Sequence, residues 1–328
     1  MGPEPADLER FKADLGALAP PGARLGVALS GGPDSLALLI LTAAARPGEV
    51  EAATVDHALR NESRAEAEGA AAVCKQLGVP HAILTAEWTD KPTTAIQERA
   101  RAERYRLLSA WASERGLDAV MTGHHADDQA ETLLMRLNRG AGVRGLAGMR
   151  ARSSVPRDPS ESGDPPSLLR PLLTWRRCDL ERICAETNLT PITDPSNADD
   201  RFERVRIRKA LSDASWLDPA ALAASASHLA SADEALDWAV DQEWRRNVSE
   251  ANGQLAFTPA DAPPEIIRRL VARAIARLAH EGGPDLIRAR ELDRLITTMR
   301  DGGHGTLRGV HCTGGTQWRL SRAPERRR

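Results

Sequence analysis

Six consecutive residues, Ser30 to Ser35, read SGGPDS between an apolar run, LGVAL (25–29), and a second apolar stretch reaching to about Ala45. A loop joining a strand to a helix presents backbone N–H groups and the positive end of a helix dipole, and together these bind anions. Gly31 and Gly32 let the backbone approach a phosphate closely, and Ser30 and Ser35 add hydroxyl donors. Asp34 is the odd member, because a carboxylate repels phosphate. It fits if it helps to hold Mg²⁺ or receives the amides at the helix start. The pattern GxxxxGK[ST] is absent, which argues against γ-phosphate transfer of the kinase or GTPase type. A bare SGG is more often a plain glycine turn. Flanked by an apolar strand and an apolar helix, the loop formed by Ser30, Gly31, Gly32, Pro33, Asp34 and Ser35 reads as a nucleotide-binding loop.

A second cluster lies in TGHHADDQAET (122–132). On a helix beginning near Ala126, Asp128 and Glu131 are three residues apart and share a face. Two carboxylates at a strand-end cleft suit an ammonium group, and one of them can take its proton. The blander reading is an acidic helix start, which the helix dipole favours anyway. His124, directly after the strand DAVMTG, can donate to a phosphate or to an activated carbonyl, whereas His125 points elsewhere and reads as structural. Asp56 and His57 follow the strand EAATV, and Arg60 lies near them. Arg104, with Arg101 on the same face, belongs to an arginine-rich helix and on composition alone is a surface residue. Arg201, Arg204, Arg206, Arg208 and Lys209 form a basic cluster suited to nucleic-acid phosphates, although most charge runs are only solvated faces.

The elements that must position these groups alternate. Strands are predicted at 25–29, 51–55, 81–86 and 118–123, with helices between them closed by Gly78, Gly116 and Gly140. Such alternation implies right-handed crossovers and a doubly wound α/β parallel sheet covered on both faces. Ligands sit at the carboxyl ends of such strands, where all three polar clusters fall. A Pro/Ser/Asp/Gly stretch (150–167) reads as a surface loop, and a helix follows over about 176–187. After Trp216 the chain is alanine-rich, with helices near 219–247, 264–281 and 285–300 and a hairpin around Gly314-Gly315. These features predict a catalytic domain over 1–213 and a smaller, mostly helical domain over 214–328.

Bulk properties restrict the function classes. The 328 residues carry a formal net charge of -2, but 14 basic against 7 acidic residues fall between Pro263 and Arg328. An acidic body with a basic tail points to nucleic acid. Four cysteines without a CxxC argue for a reducing compartment and against a zinc site. With no signal-peptide core and no long apolar run, a cytoplasmic protein away from membranes is expected.

SGGPDS resembles the pyrophosphate loop (PP-loop) of ATP pyrophosphatases, which cleave ATP between the α and β phosphates. VDHALR (55–60), RAERYRLL (101–108), TGHHADDQAETLLMRLNRGAGVRGL (122–146), RPLL (170–173) and TDPSN with FERVRIR (193–208) occur in that order. Together they are similar to bacterial tRNA(Ile)-lysidine synthetases, over about Arg24 to Lys209. The resemblance implies an ATP-dependent ligase that joins the ε-amine of L-lysine to C2 of the first anticodon cytidine of a tRNA(Ile) with a CAU anticodon. The reaction passes through an adenylated cytidine and gives lysidine, AMP and pyrophosphate. It implies ATP and Mg²⁺, with Ser30–Ser35, Asp56 and His57 at ATP and Asp34 at the metal. Asp34, Arg104, His124, Asp128 and Glu131 are then catalytic, Asp128 and Glu131 bind the lysine, and Arg201, Arg204, Arg206 and Arg208 contact tRNA. A homodimer is one arrangement open to it. The nearest competing reading is a PP-loop tRNA thiolase, which the missing CxxC disfavours; small-molecule amide ligases and a non-catalytic tRNA-binding protein are more distant.

Overall fold

A computed structural model describes residues 2–59, 63–89, 94–156, 165–187, 189, 191, 200–259, 262–279 and 287–323. Arg60 and the TDPSN segment lie outside the described residues. The chain divides into two units, Met1–Ala230 and Ser231–Arg328.

The first unit opens with α1 (Pro5–Gly16), β1 (Leu25–Ala28), α2 (Pro33–Ala45), β2 (Val50–Asp56), α3 (Ser63–Gln76) and β3 (His81–Thr85). It continues with α4 (Ile96–Arg115), β4 (Ala119–Met121), α5 (Ala126–Asn138), the single turn α6 (Val143–Leu146), β5 (Arg152–Ser154) and β6 (Ser167–Leu169). Helices α7 (Arg177–Glu186) and α8 (Glu203–Asp213) follow, and α9 (Pro219–Asn247) spans the division between the units.

The sheet order is β3-β2-β1-β4-β6-β5, parallel except for the antiparallel edge pair β5–β6. Side chains of α1, α2, α3 and α7 share one core with β1, and Tyr105, Leu108 and Trp111 of α4 belong to a second core with Ala53, Val120 and Leu168. Helix α2 is buried from Ser35 to Thr42, as its unbroken apolar sequence requires. Gly116 closes α4 in the left-handed conformation that glycine adopts most readily. The order places β1 at the centre, with β2 on one side and β4 on the other. The crevice at the carboxyl ends of these central strands is where doubly wound sheets bind ligands.

The second unit holds β7 (Ser249–Ala251), β8 (Gln254–Phe257), α10 (Pro264–Leu278), α11 (Ala289–Arg300), β9 (His304–Leu307), β10 (Val310–Thr313) and β11 (Trp318–Arg322). The hairpin expected around Gly314-Gly315 is present between β10 and β11, but it belongs to a larger antiparallel sheet ordered β7-β8-β11-β10-β9. Two-residue turns with both φ angles positive, Asn252-Gly253 and Arg308-Gly309, close β7–β8 and β9–β10. Leu255, Phe257, Trp318 and Leu320 share a core with α10 and α11.

Candidate active site

The loop after β1 is held by its own serines. The Ser30 N–H donates to Ser35 Oγ (3.1 Å), the two hydroxyls lie 3.0 Å apart, and Ser35 Oγ donates to the Gly32 carbonyl (3.0 Å). Gly31 takes φ +83°, a conformation L side chains rarely adopt. Pro33 begins α2, so the loop faces the N-terminus of a buried helix.

The loop after β4 packs directly on it. A Cβ at Gly123 would lie 2.7 Å from the Asp34 carbonyl oxygen and 2.9 Å from the Ser35 nitrogen. Glycine is therefore required there by the neighbouring backbone. Beyond it His124 Nδ1 meets the Thr122 hydroxyl at 2.8 Å. His125, fully buried, places Nε2 3.5 Å from both Asp34 Oδ1 and Asp128 Oδ2, and Nδ1 3.6 Å from Asp127 Oδ2. These separations exceed hydrogen bonds and act as ion pairs, so one imidazolium offsets three carboxylates at the junction of the two loops. Asp127 is turned away from the crevice: Arg176 reaches it at 3.2 Å and the Arg177 N–H donates to it at 2.8 Å. Asp128 accepts the His125 N–H (3.1 Å), reaching back to the helix start.

The two histidines are driven apart electrostatically. Burial pushes His124 down to about 4, with Arg170 and Arg204 reinforcing that against the opposing charge of Asp128. Burial also acts to lower His125, but Asp127, Asp34 and Asp128 outweigh it and raise it to about 9. His124 is thus neutral and His125 charged at neutral pH. Each contributes to a pH dependence of stability, with opposite sign. His125 stabilises the fold fully below its ordinary 6.5, and that contribution is lost as pH rises towards 9. His124 contributes above 6.5 and the contribution is lost as pH falls towards 4. Each limb is worth about 3 kcal/mol. Denaturant unfolding measured from pH 4 to 9 should therefore peak near neutrality, and His125→Asn should remove the alkaline limb; an alkaline limb unchanged in that variant would contradict the assignment.

The crevice forms a cavity of about 650 Å³, within the range of small-ligand sites. Its walls include Ser30, Asp34 and Ser35 from the loop, Ala28, Ala53 and Val55 from strand ends, His57, Arg101, Arg104 and Tyr105, and His124, Asp128 and Arg204. Arg101 and Arg104 stack near the Tyr105 ring at 5.0 and 5.7 Å. Burial and the neighbouring Arg101 charge lower the Arg104 guanidinium's pKa, against the Tyr105 contribution, so Arg104 favours an incoming anion. His57 is half-buried at the wall, and its burial lowers its pKa. Asp56 has a different place. Its carboxylate accepts the Ala58 N–H (2.9 Å) and the Ser63 hydroxyl (2.6 Å), and so holds the loop after β2, where Ala58 takes φ +51°.

Two further expectations change. Glu131 is buried, but it is absent from the cavity wall: Arg208 reaches it at 2.6 Å and Arg204 at 3.0 Å. Arg204 and Arg208, expected at tRNA phosphates, instead turn inward, Arg204 also donating to the Thr132 hydroxyl at 2.9 Å. The reason is helical: four residues apart on α8, they share the face packed against α5. Arg206 falls on the opposite face, is exposed, and donates to the Asp200 and Arg201 carbonyls; Arg201 is exposed as well. Sequence reasoning also passed over Gly123, Gln129 and Arg176. Gln129 bonds Met149 through both its amide atoms, and Arg136 donates to the Gly145 and Gly148 carbonyls, which fixes the RGAG-containing segment against α5.

Comparison with known proteins agrees with this geometry. A family described as a PP-loop domain matches residues 7–215. A tRNA(Ile)-lysidine synthase of Novosphingobium aromaticivorans is 48% identical over 321 residues, covering 97% of this chain and 94% of that protein. One of Zymomonas mobilis is 38% identical over 310 residues, covering 94% and 92%. Among solved structures, the U34-tRNA thiolase NcsA of Methanococcus maripaludis, described with its [4Fe-4S] cluster, superposes with a TM-score of 0.55 at 16% identity, over 68% of this chain and 78% of that one. That likeness shows the fold alone.

Proposed function

Since this chain belongs to the tRNA(Ile)-lysidine synthase family of PP-loop proteins, we propose that its crevice joins L-lysine to the first anticodon cytidine of tRNA(Ile) with a CAU anticodon. The observation carrying this reading is the convergence, in one cavity, of the Ser30–Ser35 loop, the Arg101 and Arg104 guanidiniums and the Asp128 carboxylate. An anion-binding half and a cation-binding half face one another.

ATP lies with its β and γ phosphates on the loop amides and the α2 N-terminus, and its base against Ala28, Ala53 and Val55. Asp34 lines the cavity with a side chain 31% exposed, while its Oδ1 faces the His125 imidazolium. One such carboxylate, completed by phosphate oxygens, suits Mg²⁺, whose charge would offset that of the phosphates. The cytidine oxygen O2 attacks the α-phosphorus and pyrophosphate leaves. Arg104 and Arg101 offset the negative charge in that transfer. His124, neutral and fixed by Thr122, is able to donate a hydrogen bond to the activated base. Asp128 orients the lysine ε-ammonium and takes its proton as the amine attacks C2 and AMP departs. Glu131 acts indirectly, by fixing Arg204 beside Asp128. Arg206 on the open side of α8, Arg201 just before that helix, and the basic C-terminal region meet tRNA phosphates.

The test is product analysis. Labelled ATP should give AMP and pyrophosphate in equal amounts, only when lysine and tRNA(Ile) are both present, with lysidine in the tRNA digest. ADP as the stoichiometric product, or sulfur in place of lysine in the modified base, would overturn it.

A further inference from the structure

Helix α4 lines the cavity along one face. Gln97, Ala100, Arg101, Arg104, Tyr105 and Leu108 all belong to the wall, and their spacing of three and four residues is that of a single helical stripe. Exposure falls along the stripe. Ile96 and Gln97, in the first turn, are exposed, whereas Tyr105 is 3% and Leu108 1% exposed. The first turn therefore stands at the mouth of the cavity and the later turns at its floor. Ala95, at φ +49°, fixes where the helix begins.

Two residues at the mouth do not suit a site built only for phosphates and an ammonium group. Ile96 is 45% exposed, and with Leu59 it gives the wall an apolar patch. Gln97 carries the one primary amide on the wall, and this amide makes no hydrogen bond among the described residues. Asp34, Glu66 and Asp128 also offer acceptors there, but an ionised carboxylate donates nothing. Phosphates require donors and an ammonium requires acceptors. An amide that offers both, beside an apolar patch, suits the edge and the face of a nucleobase.

We infer that Gln97 holds the Watson–Crick edge of the target cytosine, with Ile96 and Leu59 against its ring. The inference rests on the reading of tRNA(Ile) as the substrate and names the group that grips the base. Gln97 lies one turn, about 6 Å, outward of Arg101 along α4. Arg101 and Arg104 face the phosphorus that the cytosine O2 attacks. Cytosine carries O2, N3 and N4 along a single edge. With O2 turned to the arginines, N3 and the N4 amino group lie towards the mouth. There Gln97 Oε1 accepts an N4–H, and Gln97 Nε2 donates to N3. The first of these contacts strengthens as O2 bonds to phosphorus, because the ring then becomes positive and N4 shares that charge. An amide can also turn over and donate to the O4 of uracil, so Gln97 grips the base without by itself rejecting uracil.

The experiment uses the full-length chain and two forms of tRNA(Ile), one with cytidine at the first anticodon position and one with the riboside of pyrimidin-2-one. The second form keeps O2 and N3 but lacks the N4 amino group. Fluorescence anisotropy, with a non-hydrolysable ATP analogue present, gives the affinity of each. The wild type should prefer cytidine on the order of tenfold, the low end for a bidentate base contact. Gln97→Ala should bind the cytidine form about as weakly as the wild type binds the other, and should no longer distinguish the two. Its salt slope and its affinity for the ATP analogue should stay unchanged, because no phosphate contact is lost. Gln97→Glu should keep the preference through its acceptor, and should bind a transcript with uridine at that position more weakly than the wild type does, having no donor for O4. A wild-type preference in Gln97→Ala, or an equal loss for both forms, would overturn the inference. If Gln97→Ala loses the preference while the wild type forms no lysidine, the base contact stands and the proposed reaction fails. If lysidine forms and the preference survives in Gln97→Ala, the reaction stands and the base is held elsewhere.

Discussion

Gly123→Ala should lose ATP-dependent tRNA modification by about a hundredfold or more, the cost of displacing a reacting group by about an ångström. The added methyl would meet the Asp34 carbonyl oxygen at 2.7 Å, the Asp34 carbonyl carbon at 2.8 Å and the Ser35 nitrogen at 2.9 Å. All three are backbone atoms, so no rotamer change relieves the clash, and the loop after β1 must move. Gly32→Ala provides the contrast. Its Cβ would find only Ser30 Oγ, at an ordinary 3.6 Å, so that variant should fold unchanged. Any affinity Gly32→Ala loses reports how closely a phosphate approaches. Isothermal titration with a non-hydrolysable ATP analogue, alongside unfolding, separates the two cases. Normal ATP binding by Gly123→Ala would show that the loop tolerates displacement, and would remove its geometry from the account.

The second large effect concerns two of the three carboxylates of α5, Asp128 and Glu131. Asp128→Asn keeps an oxygen able to accept the His125 N–H, yet removes the charge that faces the cavity. Lysine-dependent AMP release should fall by about 10³ in kcat/KM, the range for removing a proton acceptor, with ATP affinity preserved. Glu131→Gln should behave differently. Its carboxylate is 1% exposed and meets two guanidiniums that are themselves 39% and 30% exposed, so neutralising it leaves their charge to solvent. A destabilisation of about 1 kcal/mol is expected, with lysine transfer impaired more than ATP binding because Arg204 loses its anchor. Asp128→Asn with wild-type lysine kinetics would take that residue out of the site; Glu131→Gln with wild-type stability would mean that α8 is held by other contacts.

Much of the first unit was legible because its central strands are rich in apolar residues and its helices end at glycines, of which Gly78, Gly116 and Gly140 all adopt positive φ. Helix α1 gave little signal, since Phe11 and Leu15 are its only buried residues. Strands β7, β8 and β9 are three or four residues long, too short for alternation to register, although Asn252-Gly253 is a hairpin turn pair. In the site, Ser30–Ser35, His124 and Asp128 were readable as contiguous motifs. The need for glycine at 123 was not, because the atoms that impose it belong to a loop almost ninety residues earlier. Nor was the inward turn of Arg204 and Arg208, which depends on which face of α8 meets α5. A run of arginines reads as basic surface until a partner carboxylate is placed beside it.

The central position of β1 has a consequence for synthesis of the chain. Leu25 pairs with Val50 on one side and with Ala119 on the other, so the second partner follows 94 residues later (119 − 25). At ordinary translation rates the second partner emerges about 3 to 14 seconds after the first. During that interval β1 is an apolar edge strand with unpaired backbone groups, the kind of surface that recruits another chain. The nascent protein is therefore most vulnerable to aggregation while its phosphate loop is already made but still lacks the wall that Gly123 and His124 provide, and chaperone engagement should concentrate in that window.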